Sequence, residues 1–351
     1  MEVISLAAKI RAWNELMKVA LNIGKLRGDI DNFFRGNIVR SLQDEGWFDY
    51  LTQPRTVDEI ASQFQYTDTE FLQSILDVFT SDHTLSKGVD NRYVINGVVE
   101  DRWVLPTLFD GSMVELWKDY AVFLPDRLRG KYLEFTSGMS LFDWDNVLGL
   151  QMYEQVRLAA FQFGGAFNRT GRFLDIGSGN GRGTSAIWSY YFKRNRFFSG
   201  TDMRIYGVEP DEGLSEIARE EFSMMAAELL GVDVKEIDAQ KDHHPEFHIG
   251  LAEKIPFEDE YFDMVYASQV IHWTSWELAI KEMLRVLKPG GIFFGAESFY
   301  PTADPYSEIH FKVTQGADGY HTKTDFERWA MEGGAKSVKF ATPITVFKVT
   351  K

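Results

Sequence analysis

The chain has 351 residues, which exceeds the usual single domain and predicts two domains, each able to bury its own core. Its formal net charge of −15 opposes long-range attraction to phosphate backbones, and the absence of cysteine excludes disulfides, thiolate zinc sites and thiol nucleophiles. No apolar run approaches the ~20 residues of a membrane span and the first residues do not read as a signal peptide, so a cytoplasmic location is expected.

The first eighty residues carry helix signals. Apolar residues repeat at helical spacing over 4–21, and a second helical segment covers 33–46. Thr56-Val-Asp-Glu59 and Thr67-Asp-Thr-Glu70 both match the capping box, in which the first residue caps a helix and the fourth reaches back. Two further helices are therefore predicted to begin there.

A hairpin signal follows these helices. The runs Leu85–Lys87 and Arg92–Ile95 flank Gly88–Asn91, which predicts a β-hairpin and gives residues 1–102 the element order of a winged helix. A winged helix that reads DNA normally carries Arg and Lys on its recognition helix, and 67–82 carries none. No nucleic-acid partner is expected.

The connection over 103–165 is rich in aromatic residues from Trp103 to Phe163. This composition favours a helical lid that contributes to a pocket for a large apolar ligand. The alternative is that the aromatic side chains pack in the interior of the protein, which is the more common fate of any single one.

A glycine-rich loop follows the apolar run that ends on Asp175, with glycine at 177, 179, 181 and 183. Glycine adopts positive φ and lets backbone N–H groups approach a ligand just past the carboxyl end of a strand. A phosphate-binding P-loop would need lysine before Thr184, and the dinucleotide fingerprint would need glycine where Arg182 stands. Both of those nucleotide sites are therefore disfavoured.

Four segments in a set order strengthen this signal. After the glycine loop come Tyr206–Glu209, a short apolar run that closes on an acid, and then 250–257, 261–268 and 284–295. Together they resemble the class I S-adenosylmethionine-dependent methyltransferases over roughly residues 155–351. The resemblance implies an α/β fold in which a Rossmann-like sheet over 166–351 follows the helical N-terminal domain in the chain. It also implies S-adenosylmethionine as the cofactor.

The resemblance places the cofactor on residues that follow the strands. Asp175 and the first glycines would surround its methionine part, Glu209 would bind the ribose, and 252–253 would border the adenine. The implied binding residues are Asp175, Gly177, Ser178, Gly179, Glu209, Pro210, Ala252, Glu253 and Ser268. The family often has an acid where Leu251 stands, so the adenine is expected to be held differently. An acid at the end of a strand can also be only a helix cap.

A winged helix before such a domain resembles the dimeric O-methyltransferases that act on small molecules. This likeness implies a homodimer formed through the N-terminal unit and an apolar small-molecule acceptor. His272, in Gln269-Val-Ile-His-Trp273, matches the position of the catalytic histidine in the plant-type enzymes, although the Asp that follows it there is missing. Glu297 ends the next strand, close enough to orient His272 or the acceptor.

Several alternatives remain open. His272 can act as a general base on a hydroxyl, or it can be a pocket wall beside Trp273. The stretch 256–263 also resembles quinone and sterol C-methyltransferases, and a non-catalytic cofactor-binding protein is a further alternative. Histidines at 243, 244 and 248 lie in a polar loop without a helical pair, so no metal site is predicted.

The end of the chain carries one more helix signal and two strand signals. Thr324-Asp-Phe-Glu327 could cap a last helix through Met331. The runs 337–342 and 344–349 then read as strands, and in the family that this chain resembles the last strand is antiparallel to the rest of the sheet.

Overall fold

A computed structural model describes residues 28–100, 103–105, 111–133, 151–195, 203–341 and 345–351. The helix predicted over 4–21 lies outside the described residues. In chain order the helices are α1 (28–44), α2 (Trp47–Tyr50), α3 (Val57–Phe64), α4 (Thr69–Ser81), α5 (Gly111–Val122), α6 (Leu124–Leu128), α7 (Gln151–Gly164), α8 (Arg182–Asn195), α9 (Glu212–Leu230), α10 (Val234–Asp238), α11 (Trp276–Val286), α12 (Pro305–Phe311) and α13 (Lys323–Glu332). The strands are β1 (Leu85–Lys87), β2 (Tyr93–Ile95), β3 (Arg172–Ile176), β4 (Arg204–Glu209), β5 (Glu246–Ile249), β6 (Phe262–Ser268), β7 (Leu287–Ala296), β8 (Ser337–Ala341) and β9 (Val346–Thr350).

The described residues form two compact units. One contains 28–133 together with 303–319, and the other contains 151–302 together with 320–351. Residues 303–319, which the sequence prediction placed with 166–351, therefore group with the N-terminal unit. Within that unit Asp82 explains part of this grouping, because it accepts from Arg35 Nε at 2.9 Å and from the Tyr306 hydroxyl of α12.

Local capping explains the helices of the N-terminal unit. The predicted capping box of Thr56 and Glu59 begins α3, and both of its hydrogen bonds are present. The cap predicted at Thr67 is wrong. Asp68 caps α4 instead, because its carboxylate accepts from Phe71 N at 2.9 Å. Strands β1 and β2 pair antiparallel, which confirms the predicted hairpin.

The second unit is built on a seven-stranded sheet in the order β5-β4-β3-β6-β7-β9-β8. The first five of these strands are parallel, while β9 is antiparallel to β7 and to β8. This arrangement confirms the predicted α/β fold and the antiparallel last strand. The parallel strands β3, β4, β6 and β7 end at one edge of the sheet, and this edge carries the candidate site.

Two apolar clusters hold helices against the sheet. One packs α11 and α13 around Trp276, Ile280 and Phe326, and the other packs α7 and α8 around Phe161 and Trp188. Phe161 is fully buried, so it contributes to this core rather than to a lid. No helix in the described part of the chain is long and apolar enough to cross a membrane.

The cap of the last helix also differs from the prediction. Thr322 rather than Thr324 begins α13, since its hydroxyl accepts from Asp325 N at 3.1 Å and the Asp325 carboxylate accepts from Thr322 N at 3.4 Å. A threonine two residues earlier, paired with aspartate rather than glutamate, provides the same two hydrogen bonds.

Candidate active site

The glycine loop after β3 has the backbone conformation that its sequence predicts. Gly177, Gly179 and Gly181 have φ of 66°, 55° and 82°, in the left-handed region that favours glycine. The N–H groups of Gly177 and Ser178 both donate to Val208 O, at 2.8 and 3.1 Å. The loop is therefore tied to the end of β4, next to Glu209.

Glu209 is buried at this edge with only 4% of its surface exposed. Its Oε2 accepts from Gly179 N at 2.9 Å, and its Oε1 accepts from Asp211 N at 3.2 Å. Burial raises the pKa of Glu209 to about 7, against the effect of these two hydrogen bonds. Each carboxylate oxygen keeps a further lone pair, so Glu209 can accept hydroxyl protons of a ligand. Pro210, which lies between Glu209 and Asp211, is exposed.

Asp175 is the second buried carboxylate at the loop. Its Oδ2 accepts from the Thr184 hydroxyl on α8 at 2.7 Å. Burial raises the pKa of Asp175 to about 6, while the Thr184 hydrogen bond and the charge of Arg157 act in the opposite direction. Two buried carboxylates at one loop suit a ligand that brings hydrogen-bond donors.

The Ser178 hydroxyl lies beside β4. A Cβ added at Gly207 would meet Ser178 Oγ at 2.9 Å, and this oxygen is buried without a hydrogen-bond partner in the described residues. An unsatisfied buried hydroxyl at a ligand loop is the kind of group that a bound molecule or an ordered water completes. The Ser178 hydroxyl and the carboxylates of Glu209 and Asp175 can all accept hydrogen bonds from a ligand. Such a set of groups fits an amino-acid nucleoside such as S-adenosylmethionine.

The segment expected to border adenine is partly buried and partly exposed. Ala252 is buried, whereas Leu251 is 54% exposed. Glu253 Oε1 accepts from Ser275 N at 2.9 Å, at the N-terminus of α11. This hydrogen bond gives Glu253 a structural function that the sequence motif did not indicate.

His272 and Glu297 form a buried pair. His272 lies in a turn of 3₁₀ helix, Ile271–Trp273, just beyond β6, and Glu297 follows β7. The distance between His272 Nδ1 and Glu297 Oε1 is 2.9 Å, and the two side chains are 4% and 0% exposed. Glu297 Oε1 also accepts from Ser298 N, so we assign Nδ1 as the donor of this hydrogen bond and Nε2 as the nitrogen that would act as a base.

Glu297 also fixes the backbone of the histidine turn. Its Oε2 accepts from Ile271 N at 3.0 Å, and its Oε1 accepts from Ser298 N at 2.8 Å. Gln269, between Ser268 at the end of β6 and this turn, has a positive φ of 56°. A non-glycine residue is uncommon in this region, and here Gln269 N donates to Ala296 O at 2.9 Å, which ties the start of the turn to β7.

The histidine turn contacts the glycine loop. A Cβ added at Gly177 would lie 2.6 Å from Val270 Cγ2, so the loop and the turn are packed against each other. The ring of His272 lies 5.2 Å from that of Trp273 and 5.6 Å from that of Tyr320. The structure thus brings the predicted base and the predicted cofactor loop together.

Three residues of the site were not predicted as site residues, although Thr184 ends the glycine-rich segment. Thr184 binds Asp175, Tyr320 packs beside His272, and Arg157 on α7 approaches the glycine loop. Arg157 and Tyr320 lie outside the recognisable motifs, and only their place in the fold identifies them. Within the described residues, no group of three or more His, Asp or Glu side chains could hold a metal ion.

A comparison with known protein families covers the part of the chain that forms this site. Residues 174–295 match the family model described as a methyltransferase domain. These residues contain the glycine loop, Glu209 and His272. With the sheet order and the glycine loop, this match identifies residues 174–295 as a methyltransferase domain.

Curated relatives resemble part of the chain in sequence, and solved structures resemble it in fold. An uncharacterized methyltransferase of Schizosaccharomyces pombe is 35% identical over 88 residues, which cover 24% of this chain and 35% of the relative. The CurJ carbon methyltransferase has a TM-score of 0.69 at 15% identity, covering 97% of this chain and 98% of its own. An O-methyltransferase family 2 protein from Planctomyces limnophilus, in complex with apigenin, has a TM-score of 0.55 at 16% identity, covering 95% and 96%. The chain spans less than half the length of the first curated relatives that it matches.

Proposed function

We propose that the protein transfers a methyl group from S-adenosylmethionine to a hydroxyl oxygen of an apolar small molecule, with His272 as the general base. The observation that carries this proposal is the buried pair of His272 and Glu297, packed through Val270 against the glycine loop. A candidate proton acceptor beside the proposed cofactor loop supports this reaction.

The chemistry follows from the state of the imidazole. When bound, S-adenosylmethionine supplies an electrophilic methyl carbon on a sulfonium. With the cofactor held at the glycine loop, His272 Nε2 would take the proton of an acceptor hydroxyl. Glu297, held by three hydrogen bonds, keeps the imidazole oriented and stabilises the imidazolium that forms.

Transfer to an acidic carbon is the second candidate. It needs the same step, removal of a proton from the acceptor, and the same buried base can provide it. The observation that favours it is the fold of the whole chain, which has a higher TM-score with the CurJ carbon methyltransferase than with the O-methyltransferase family 2 protein.

We assign cofactor roles to the residues of the site as part of this proposal. Glu209 accepts the ribose hydroxyls, Asp175 faces the methionine part, and the backbone of the glycine loop lies along the molecule. Ser178, Pro210, Ala252 and Ser268 complete the surroundings, whereas Glu253 acts mainly through its hydrogen bond to Ser275.

We also propose that the N-terminal unit pairs two copies of the chain and does not bind nucleic acid. Support comes from the charge of −15 and from α4, which carries no Arg or Lys. Closed two-fold pairing is the commonest symmetry among soluble homo-oligomers.

A labelled-methyl assay tests the proposed reaction. The protein is incubated with S-adenosylmethionine that carries a ¹³C methyl group and a panel of phenols, quinols and β-dicarbonyl compounds, and the product is examined by NMR. A methoxy signal supports transfer to oxygen, and a carbon-bound methyl supports the second candidate. Binding of the cofactor without turnover on any acceptor would support the non-catalytic alternative.

Substitution of the base separates catalysis from pocket shape. His272→Ala should lower turnover by at least ~10²-fold with little change in cofactor affinity, because positioned proton transfer supplies about 10² to 10⁴ in rate. His248→Ala, which changes a histidine on β5, is the matched control and should leave turnover unchanged. Near-normal turnover of His272→Ala would show that His272 is a pocket wall.

A further inference from the structure

Two aromatic rings lie beside the imidazole of His272. The centroid of the His272 ring is 5.2 Å from that of Trp273 and 5.6 Å from that of Tyr320, and the ring planes are tilted by 41° and 50°. His272 and Tyr320 are both buried, with 3% and 8% of their surfaces exposed. The imidazole that Glu297 binds at Nδ1 therefore also has two π-systems within reach.

Backbone pairing holds Tyr320 at this position. Tyr300 N donates to His321 O at 3.0 Å, and Tyr300 and Thr322 form a parallel β-bridge. Glu297 lies three residues before Tyr300 in the chain. The stretch that follows β7 thus carries both the acid that binds the imidazole and the backbone that holds the segment of Tyr320.

The chemistry of this arrangement depends on the charge of His272. An aromatic ring attracts a cation that lies within ~6 Å of its centroid, and the attraction grows where water is excluded. Both ring distances at His272 fall within this range. The neutral imidazole gains little from such a contact, whereas the imidazolium that follows proton uptake gains from both rings. The rings therefore favour the state of His272 that the proposed reaction produces.

We infer that the ring of Tyr320 stabilises the imidazolium of His272 through a cation–π contact, with Trp273 as the second ring. Tyr320 acts through His272 rather than on the acceptor, so it is a positioning residue. The inference rests on the proposed function, because it assigns a use to proton uptake by His272. The face of the ring carries the effect, and the hydroxyl does not.

Other titratable groups around the turn define what the experiment must hold constant. Glu297 binds the imidazole directly. Glu253 accepts a hydrogen bond at the start of α11, and Asp175 lies at the base of the glycine loop on which the turn packs. His321 follows Tyr320 and packs its ring against that of Trp276. A change confined to the ring at position 320 leaves all four of these groups in place.

Graded fluorination of the ring at position 320 meets this requirement. Ring fluorine weakens the negative face of an aromatic ring with little change in its shape. Tyr320→Phe is the reference, and the series continues with phenylalanine carrying one, two or three ring fluorines. The protonated fraction of His272 is read by NMR of the free protein with ¹⁵N-labelled histidine, and His272→Gln assigns its signals.

The ratio of protonated to neutral His272, at one fixed pH, should fall stepwise by about 2- to 30-fold over the series. Tyr320→Phe itself should match the wild-type protein within about twofold. A flat series would overturn the inference and leave Tyr320 as a packing residue. A fall in Tyr320→Phe as large as that over the whole series would also overturn it, because the hydroxyl would then be the active group.

Tyr261 provides a matched control at the other end of β6. Its ring centroid lies 4.0 Å from the guanidinium carbon of Arg172, so it forms a cation–π pair of its own. The three-fluorine residue at position 261 should leave the protonated fraction of His272 unchanged, and an equal fall there would overturn the inference. If Tyr320→Phe does not fold, ring-fluorinated tryptophan at position 273 replaces the series, and an unchanged protonated fraction again overturns it.

Turnover separates this inference from failure of the proposed function. With a phenol, quinol or β-dicarbonyl acceptor, the three-fluorine residue at position 320 should lower kcat by about 2- to 30-fold and leave the KM of the acceptor unchanged. Loss of turnover in His272→Ala beside a flat fluorine series would overturn only the role of Tyr320. Near-normal turnover of His272→Ala would overturn the proposed base, while NMR of the free protein would still decide whether the ring stabilises the imidazolium.

Discussion

Glu209 should make cofactor binding depend on pH. Burial raises the pKa of this carboxyl to about 7, so below that pH it is protonated in the free protein. The ribose hydroxyls donate best to an ionised carboxylate, and binding must therefore release the proton. The affinity for S-adenosylhomocysteine should fall by about tenfold for each pH unit below 7.

The same carboxyl lowers the stability of the free protein in a defined pH window. Its pKa is higher in the folded state than its ordinary value of 4.5, so the folded state holds the proton more tightly than the unfolded chain does. The free energy of unfolding should fall as the pH rises from 4.5 to about 7 and stay lower above it. A pKa shift of this size corresponds to a loss of about 3 kcal/mol in the free energy of unfolding. Below 4.5 both states are protonated and the effect vanishes.

Calorimetric titration of S-adenosylhomocysteine between about pH 5.5 and 8 checks this reasoning. Glu209→Gln should bind about 10- to 100-fold more weakly at pH 8 and should lose the tenfold dependence near pH 7. The inflection due to Asp175, whose pKa lies at about 6, should remain. Glu212→Gln, an exposed neighbour on α9, is the control and should behave as wild type. A flat wild-type profile, or an unchanged slope in Glu209→Gln, would refute the role of Glu209.

Three further predictions concern the loop, the pair and the assembly. Gly179→Val should abolish binding of S-adenosylhomocysteine while circular dichroism stays native, because a β-branched residue is disfavoured at φ of 55° and would crowd the ligand; wild-type affinity would contradict this. Glu297→Gln should reduce turnover by about 10²- to 10⁴-fold without weakening cofactor binding. Near-normal turnover would show that Glu297 acts only through its hydrogen bonds to the backbone. Light scattering at micromolar concentration should give twice the chain mass of 40.3 kDa, and a monomer or salt-sensitive DNA binding would count against the proposed dimer.

Local signals predicted the parts of the fold that depend on a few adjacent residues. Gly177, Gly179 and Gly181 have positive φ, which glycine adopts at little cost, and the Thr56 capping box begins α3 as its spacing requires. Where two residues compete for one cap, the sequence pattern was insufficient. Asp68 rather than Thr67 begins α4, because its carboxylate accepts from Phe71 N, which no spacing rule distinguishes.

Long-range pairing limited the prediction of the site. His272 and Glu297 are 25 residues apart and meet only because β6 and β7 are adjacent parallel strands that end at the same edge. The sequence could place both residues after strands, but their 2.9 Å contact depends on sheet register. Glu253 was predicted from its motif to border the adenine, and the structure adds a hydrogen bond from Ser275 N to its carboxylate that the motif did not indicate.

The contact of Val270 with Gly177 joins the two halves of the site physically. Because a Cβ at Gly177 would lie 2.6 Å from Val270 Cγ2, the glycine is needed for close packing of the loop against the histidine turn as well as for its positive φ. The turn is in turn fixed by the hydrogen bond from Ile271 N to Glu297. A methyl transfer requires alignment of donor and acceptor to within a fraction of an ångström, and rigid packing between the loop and the turn is how this fold can supply it.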